Sequence, residues 1–207
     1  MKVLITGGAS GLGAAIARRV AEDGGTPLVL DHDPPEDDVR FVQADLADRT
    51  CAERGAHTLA RGAGGLNAVV TAAGIDASGP LDAVPARDWE RVVQVNLLGT
   101  AAVVRACLHY LEHQPNGRIV TCACTHGLHG TADATARCAA DGGVIGFSRA
   151  LARELSGRIG VTTLVPGDAG PYRHEDVADS VAFALAQPSG SEVGELAVRP
   201  AREPARP

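Results

Sequence analysis

One tryptophan, two tyrosines and three phenylalanines are all the aromatic residues of this 207-residue chain. A core so poor in rings must be filled by Ala, Val, Leu and Ile, which suits helices laid closely on a parallel sheet. Basic charge is also short, with 19 Lys and Arg against 25 Asp and Glu and a net charge of −6. That balance argues against broad binding to nucleic acid or to anionic membrane surfaces. No apolar run approaches the roughly 20 residues of a membrane-spanning helix. The first residues, one lysine and a four-residue apolar stretch before glycines, lack the make-up of a secretion signal. Five cysteines, an odd number in no regular framework, suggest reduced thiols and a cytoplasmic protein. The length fits one domain with a single three-layer core.

What the chain has in quantity is small residues, with 25 glycines among them. Lys2–Thr6, KVLIT, is dense in aliphatic and β-branched residues and reads as a short buried strand. Gly7, Gly11 and Gly13 follow, with Ser10 and Leu12 between them, and an Ala-rich helical run then begins. A glycine-rich turn between strand and helix lets the backbone approach a pyrophosphate. It also leaves the first N–H groups of the helix to bind the phosphate oxygens. Asp31 lies 18 residues past Gly13, near the distance at which an acidic residue meets the adenosine ribose. A carboxylate there accepts hydrogen bonds from a free 2′-OH and repels a 2′-phosphate, so NAD(H) is favoured over NADP(H). Asp33, Glu36, Asp37 and Asp38 add to that repulsion, although for these four a solvated acidic loop explains the charges as well.

Leu12, Ile16 and Val20 recur at helical spacing over residues 12–23. Further helices are expected over 47–61, 86–112, 134–155 and 175–186. Strands are expected over 28–30, 39–44, 68–72, 118–124, 161–165 and 195–198. Strands alternating with helices imply parallel pairing through right-handed crossovers. The expectation is therefore an α/β fold, a three-layer doubly wound parallel sheet of about seven strands. One domain covers 1–198, and the Pro/Arg-rich tail 199–207 frays.

Thr6, Gly7, Gly11 and Gly13 form the pattern TGxxxGxG. With later segments in matching order, the chain resembles the short-chain dehydrogenase/reductase family over nearly its whole length. The resemblance implies a Rossmann-type fold and hydride transfer between a nicotinamide cofactor and a carbonyl or hydroxyl of a small-molecule substrate. It implies cofactor contacts at Thr6, Gly7, Ser10, Gly11, Leu12, Gly13 and Asp31. It adds Asp45-Leu46, where the Asp meets the adenine amino group, and Ala73-Gly74, in a segment where the family has Asn-Ala-Gly and this chain Ala72-Ala73-Gly74. It also adds the turn Pro166-Gly167 beside the nicotinamide. Asn96, in VNLLGT, matches a motif in which Asn supports a water-linked proton relay. A buried mid-helix Asn costs free energy unless its amide is paired, which supports a site role. The family commonly pairs through its long central helices, implying a homodimer or homotetramer, or a hetero-oligomer with an active relative. Only residues 168–174 stand where relatives carry a substrate-covering lid, so an open site is expected.

The catalytic half departs from the family. Relatives use Ser, Tyr and Lys, and GRIVTCACTHG places Cys124 at the serine. Thirteen positions on, the tyrosine position holds Arg137, and four later the lysine position holds Asp141. Arg has no acceptor and keeps its proton, so it cannot act as an acid in place of Tyr. Asp141 reverses the local charge and is placed to pair with Arg137 one helical turn away. Cys124, a weak donor, and the imidazoles of His126 and His129 are the remaining proton carriers, with His129 or Cys124 as the expected substitute acid. Cys122, Cys124, His126 and His129 also form a C-x-C-x-H-x-x-H string. Its spacing fits no standard zinc finger, and no metal is expected. Three functions stay open: a redox enzyme with an unusual proton donor, an enzyme of this fold doing dehydration, cyclisation or epimerisation, or a catalytically silent partner subunit.

Overall fold

The computed structural model describes residues 1–167 and 173–199. Most of the short segment expected in place of a lid (168–172), and residues 200–207 of the expected tail, lie outside the described residues. In chain order the elements are β1 (Lys2–Thr6), α1 (Gly11–Glu22), β2 (Thr26–Asp31), β3 (Arg40–Gln43), α2 (Arg49–Gly62) and β4 (Ala68–Thr71). Then come α3 (Ala86–Val93), a π-helix (Gln94–Gly99), α4 (Thr100–Glu112), β5 (Gly117–Cys122), α5 (His126–His129), α6 (Thr135–Glu154), β6 (Ile159–Pro166), α7 (His174–Leu185) and β7 (Glu195–Val198). The strands form one seven-stranded sheet in the order β3-β2-β1-β4-β5-β6-β7. Every pairing is parallel.

Alternation along the strands builds the two outer layers. Leu4, Leu28, Leu30, Ile119 and Val161 face one cluster, which they share with residues of α2, α4 and α6. Val3, Ile5, Val29, Val70, Val120 and Leu164 face the other, covered by α1 and α7. These strands are apolar on both faces, as parallel sheets covered by helices require. Burying each such side chain fully stabilises the fold by about 1.5–3 kcal/mol. On α1, Ile16 and Val20 are buried and Arg18 is exposed, as the stripe at 12–23 predicts. Asp48 caps α2 by accepting the Thr50 and Cys51 N–H groups at 2.8 and 3.1 Å, which starts that helix later than residue 47.

Two expectations need correction. β5 stops at Cys122 and not at 124, so Cys124 stands in the loop beyond the strand and shares no strand face with Cys122. The helix over 86–112 exists as one rod but carries six residues of π-helix in its middle. By length and composition that rod could cross a membrane, contrary to the reading that no apolar run comes close. More than half of its apolar window is buried within the protein, which makes it a core helix of this sheet.

Candidate active site

β1 has its sequence neighbour β2 on one side and β4 on the other. The chain thus reverses its direction of winding there, and a crevice opens beyond the strand ends. The crevice has a volume of about 400 Å³ and is lined by Gly7, Ser10, Gly11, Leu12, Gly13, Asp31, Asp45, Leu46, Ala73 and Gly74, all of them predicted from sequence. Gly7 has φ +73°, and a Cβ on it would lie 2.7 Å from the Ala73 backbone. A Cβ on Gly13 would overlap the Gly7 carbonyl. Only glycines therefore let α1 descend onto the turn and the turn onto the exit of β4. Ser10, extended at the N-cap of α1, makes no side-chain capping bond, so the helix presents its first N–H groups to the crevice. Thr6 is buried behind the lining, where its Oγ1 accepts the Ala73 N–H at 3.2 Å.

Asp31 is the last residue of β2. Its Oδ2 accepts the Ala9 N–H of the glycine turn at 2.9 Å, and its Oδ1 accepts the His32 N–H at 2.6 Å. The carboxylate is thereby held at the crevice wall, with further lone pairs on both oxygens. Asp45 accepts the Ala47 N–H at 2.9 Å and lies 3.3 Å from Arg91 Nη2. The Ala47 N–H, opposed by burial and helped by Arg91, holds its carboxyl below the ordinary value of 3.8. Arg91, His32 and Val95 also line the crevice and escaped the sequence reading. Arg91 and Asp45 are 46 residues apart and carry no local signal of their pairing.

Asn96 lies in the π-helix and is 5% exposed. Its Oδ1 accepts the Ile75 N–H and its Nδ2 donates to the Ile75 carbonyl, both at 2.9 Å. It thereby clamps the segment after Gly74. Pro166 ends β6, and Gly167 donates its N–H to Val198 at 2.8 Å. The Thr125 N–H donates to the Pro166 carbonyl at 3.2 Å, bringing the loop after β5 against that turn. Neither Pro166 nor Gly167 lines the crevice described above.

The three substituted positions meet between the loop after β5 and the first half of α6. Arg137 Nε donates to Asp141 Oδ2 at 2.8 Å, and the Asp141 side chain is only 3% exposed. Burial pushes the Asp141 carboxyl above 3.8, although Arg137 and His126 oppose the shift. Burial also works against the Arg137 charge, but Asp141 outweighs it and raises the guanidinium pKa. Cys124 Sγ, a ring nitrogen of His126 and a carboxylate oxygen of Asp141 all lie within 4.8 Å of one another. His129 is exposed at the end of α5 and stands outside that group. The Cys122 thiol, desolvated among core residues, is pushed up to about 12. Sequence reasoning preferred His129 because α5, a four-residue helical turn, has no periodicity to reveal it. That turn carries His126 towards Asp141 and His129 outward.

A parallel sheet that reverses its winding at a glycine turn defines the Rossmann class of nucleotide-binding folds. Residues 1–177 match the short chain dehydrogenase family, and the chain belongs to that family. An uncharacterized oxidoreductase of Staphylococcus aureus (strain MW2) is 26% identical over 221 aligned residues, spanning 95% of this chain and 96% of that one. A 2-dehydro-3-deoxy-L-rhamnonate dehydrogenase (NAD(+)) of Sphingomonas sp. (strain SKA58) is 31% identical over 164 residues, spanning 75% of this chain and 66% of the relative. Among solved structures, a metagenomic short-chain oxidoreductase in complex with NADP superimposes with a TM-score of 0.89. It is 24% identical, with 98% of each chain covered. Ligand-free aldohexose dehydrogenase of Thermoplasma acidophilum gives 0.88 at 20% identity, over 96% of this chain and 92% of that one. At such identities the two structures speak for the fold alone.

Proposed function

We propose that the protein is a cytoplasmic NAD(H)-dependent oxidoreductase acting on the carbonyl or hydroxyl of a small molecule through a non-standard active site. The observation that carries the cofactor choice is the Asp31 carboxylate, held at the crevice wall by the glycine turn and the exit of β2. The residues present fit a dinucleotide. Gly7 and Gly13 let the turn, α1 and the exit of β4 close on one another so that backbone borders the crevice, the N-terminus of α1 offers N–H groups to a pyrophosphate, and Asp45-Leu46 borders the adenine end. The nicotinamide, when bound, supplies or accepts the hydride. Asp31 accepts the ribose hydroxyls and, with Asp33 beside it, repels a 2′-phosphate. The relative from Sphingomonas, whose name specifies NAD(+), supports the same preference.

Around the substrate, Arg137 stabilises negative charge on oxygen without giving up its proton, while Asp141 fixes the guanidinium from below. Asn96 positions the strand exit at Gly74 and Ile75. Proton exchange falls to Cys124, to a histidine of α5 or to water in an open site. A homodimer or homotetramer through the long helices is part of the same reading, supported by Leu98, 57% exposed, and by Leu108 and Phe147, only half-buried. The Arg137–Asp141 pair, which ties up two of the three replaced positions, favours one rival, a silent subunit that partners an active relative.

Calorimetric titration separates these. NADH should bind at least about tenfold more tightly than NADPH, a difference of about 1.4 kcal/mol. Asp31→Ala should narrow the gap, because it removes both the ribose bonds and the repulsion. Equal or reversed affinities sink the assignment of Asp31. Absence of NADH oxidation with every carbonyl compound tried, together with stable capture of an active relative, selects the silent subunit.

A further inference from the structure

Cys124, His126 and Asp141 come from two elements, the loop and turn after β5 and the middle of α6. We propose that together they form a zinc site, with Zn²⁺ bound by the Cys124 thiolate, the His126 imidazole and Asp141 Oδ1. The inference goes beyond the oxidoreductase reading and does not require it.

The donor set is the first argument. Sulfur, nitrogen and oxygen ligands in one group suit zinc, whereas magnesium and calcium call for oxygen alone. One thiolate and one carboxylate balance the dication, and with Arg137 bonded to the same carboxylate the group keeps one net positive charge. Three protein ligands with a fourth position open are the arrangement of zinc sites that act on substrates. The second argument is distance. Tetrahedral zinc with bonds of about 2.0–2.3 Å places its ligand atoms roughly 3.3–3.8 Å apart. The three atoms already lie within 4.8 Å of one another, so a contraction of about 1 Å, within reach of side-chain torsions, closes the site.

The third argument is support. Arg137 holds Asp141 through Oδ2 at 2.8 Å, leaving Oδ1 for the ion and fixing the carboxylate plane, as the outer partners of metal ligands do. The turn carrying His126 is seated directly on the helix carrying Asp141. A Cβ on Gly127 would lie 2.5 Å from the Gly142 nitrogen and 2.6 Å from the Asp141 carbonyl carbon. That fit holds two of the three ligands at a fixed separation. Asp141 is 2% exposed, and an uncompensated carboxylate so deep is costly. Arg137 offsets part of that cost and a dication would offset the rest. The string Cys122, Cys124, His126 and His129 is not the site, because Cys122 points into the core and His129 outward. The member that completes the group is Asp141, the residue at the family's lysine position. A Lewis acid there would stabilise charge on a substrate oxygen beside Arg137, where the proton of the missing tyrosine is not available.

The test is titration of the chelator-treated full chain with Co²⁺ alone, read by absorption. A thiolate-to-cobalt charge-transfer band and intense tetrahedral d–d bands are expected, both displaced by Zn²⁺. Cys124→Ser should abolish the charge-transfer band. His126→Gln and Asp141→Asn should each weaken Co²⁺ binding at least about tenfold, and Cys122→Ser should leave it unchanged. Circular dichroism of each variant checks the fold, and the wild-type titration decides the matter even where a variant does not fold. Absence of bands in the wild type overturns the site, as does a charge-transfer band that survives Cys124→Ser or disappears with Cys122→Ser. NADH calorimetry on the same chelated sample is independent. Cofactor binding without cobalt bands removes the zinc site alone, and cobalt bands without cofactor binding remove the oxidoreductase reading alone.

Discussion

Asp141 shows what one buried carboxylate does to a stability curve. Burial raises its pKa above 3.8 in the folded chain, so the unfolded chain gives up this proton more readily. A raised folded value contributes stability that is fully present below about pH 4 and is lost as the pH rises through the folded pKa. Asp141→Asn keeps an acceptor for Arg137 Nε but carries no such proton. In the presence of a chelator, the melting temperature of the wild type minus that of Asp141→Asn should fall as the pH rises from 4 to 7. A difference that stays constant, or grows in favour of the wild type, would show that the ion pair with Arg137 outweighs burial.

Among elements, the rod over 86–112 carries the clearest local prediction. Asn96 satisfies both polar groups of Ile75 through its amide, and Asn96→Ala would strand them. Leaving a buried donor or acceptor unpaired costs about 1–3 kcal/mol each, and Ile75 is partly open to water, at 37% exposed. A loss of about 2–3 kcal/mol is therefore expected, or roughly 4–12 °C in melting temperature at this chain length. Scanning calorimetry would read it, and an unchanged melting point would show that water replaces the amide without cost. The contrast with the glycine turn explains what the sequence could reveal. Gly7, Gly13 and Asp31 are legible because each answers a local steric or electrostatic demand at a fixed spacing. Arg137 and Asp141 are located by the family resemblance, whose spacing counts to them from Cys124. The π-helix is not legible, because its residues stay as apolar as an α-helix would need. Nor is the direction of His126, which depends on a turn of four residues seated against a helix far along the chain.

At the scale of the whole molecule, Arg118 ties the start of β5, inside the sheet, to the segment that leads into β7. Its guanidinium donates to the carbonyls of Gln187, Pro188 and Ser191 and to Asn116 Oδ1 at 2.6–2.7 Å. The residue is only 5% exposed, and burial lowers its pKa. Arg118→Met fills similar space and strands the Ser191 carbonyl and Asn116 Oδ1, while the Gln187 and Pro188 carbonyls keep the Asn116 amide and the Ser191 N–H, so a loss of about 2–4 kcal/mol is expected. Cleavage in limited proteolysis should then begin near residues 187–191, and unchanged resistance there would count against the tie. On the outer face, sedimentation at micromolar concentration should show dimers or tetramers of the 21.2 kDa chain. Leu98→Asp should shift the distribution towards monomer if the long helices form the interface. A wild type that sediments only as monomer removes that proposal.

The six π-helical residues also set a phase. Before them, Val92 and Trp89 lean on Ala136 and Ala140 of α6; after them, Val103, Cys107 and Leu111 lie in the cluster shared with α2 and the sheet. Each residue of an α-helix turns the rod by about 100°, and a π-bulge amounts to one residue too many within an otherwise regular helix. Wound as π-helix, these six residues advance the rod by about as much as five would in an α-helix, so the extra residue is absorbed and each end keeps its phase. Regular α winding of the same six would swing one end by about 100° against the other, and either the partners of Val92 or those of Val103 would be lost. In this short segment the chain has taken up one residue of length without turning either end away from its partners.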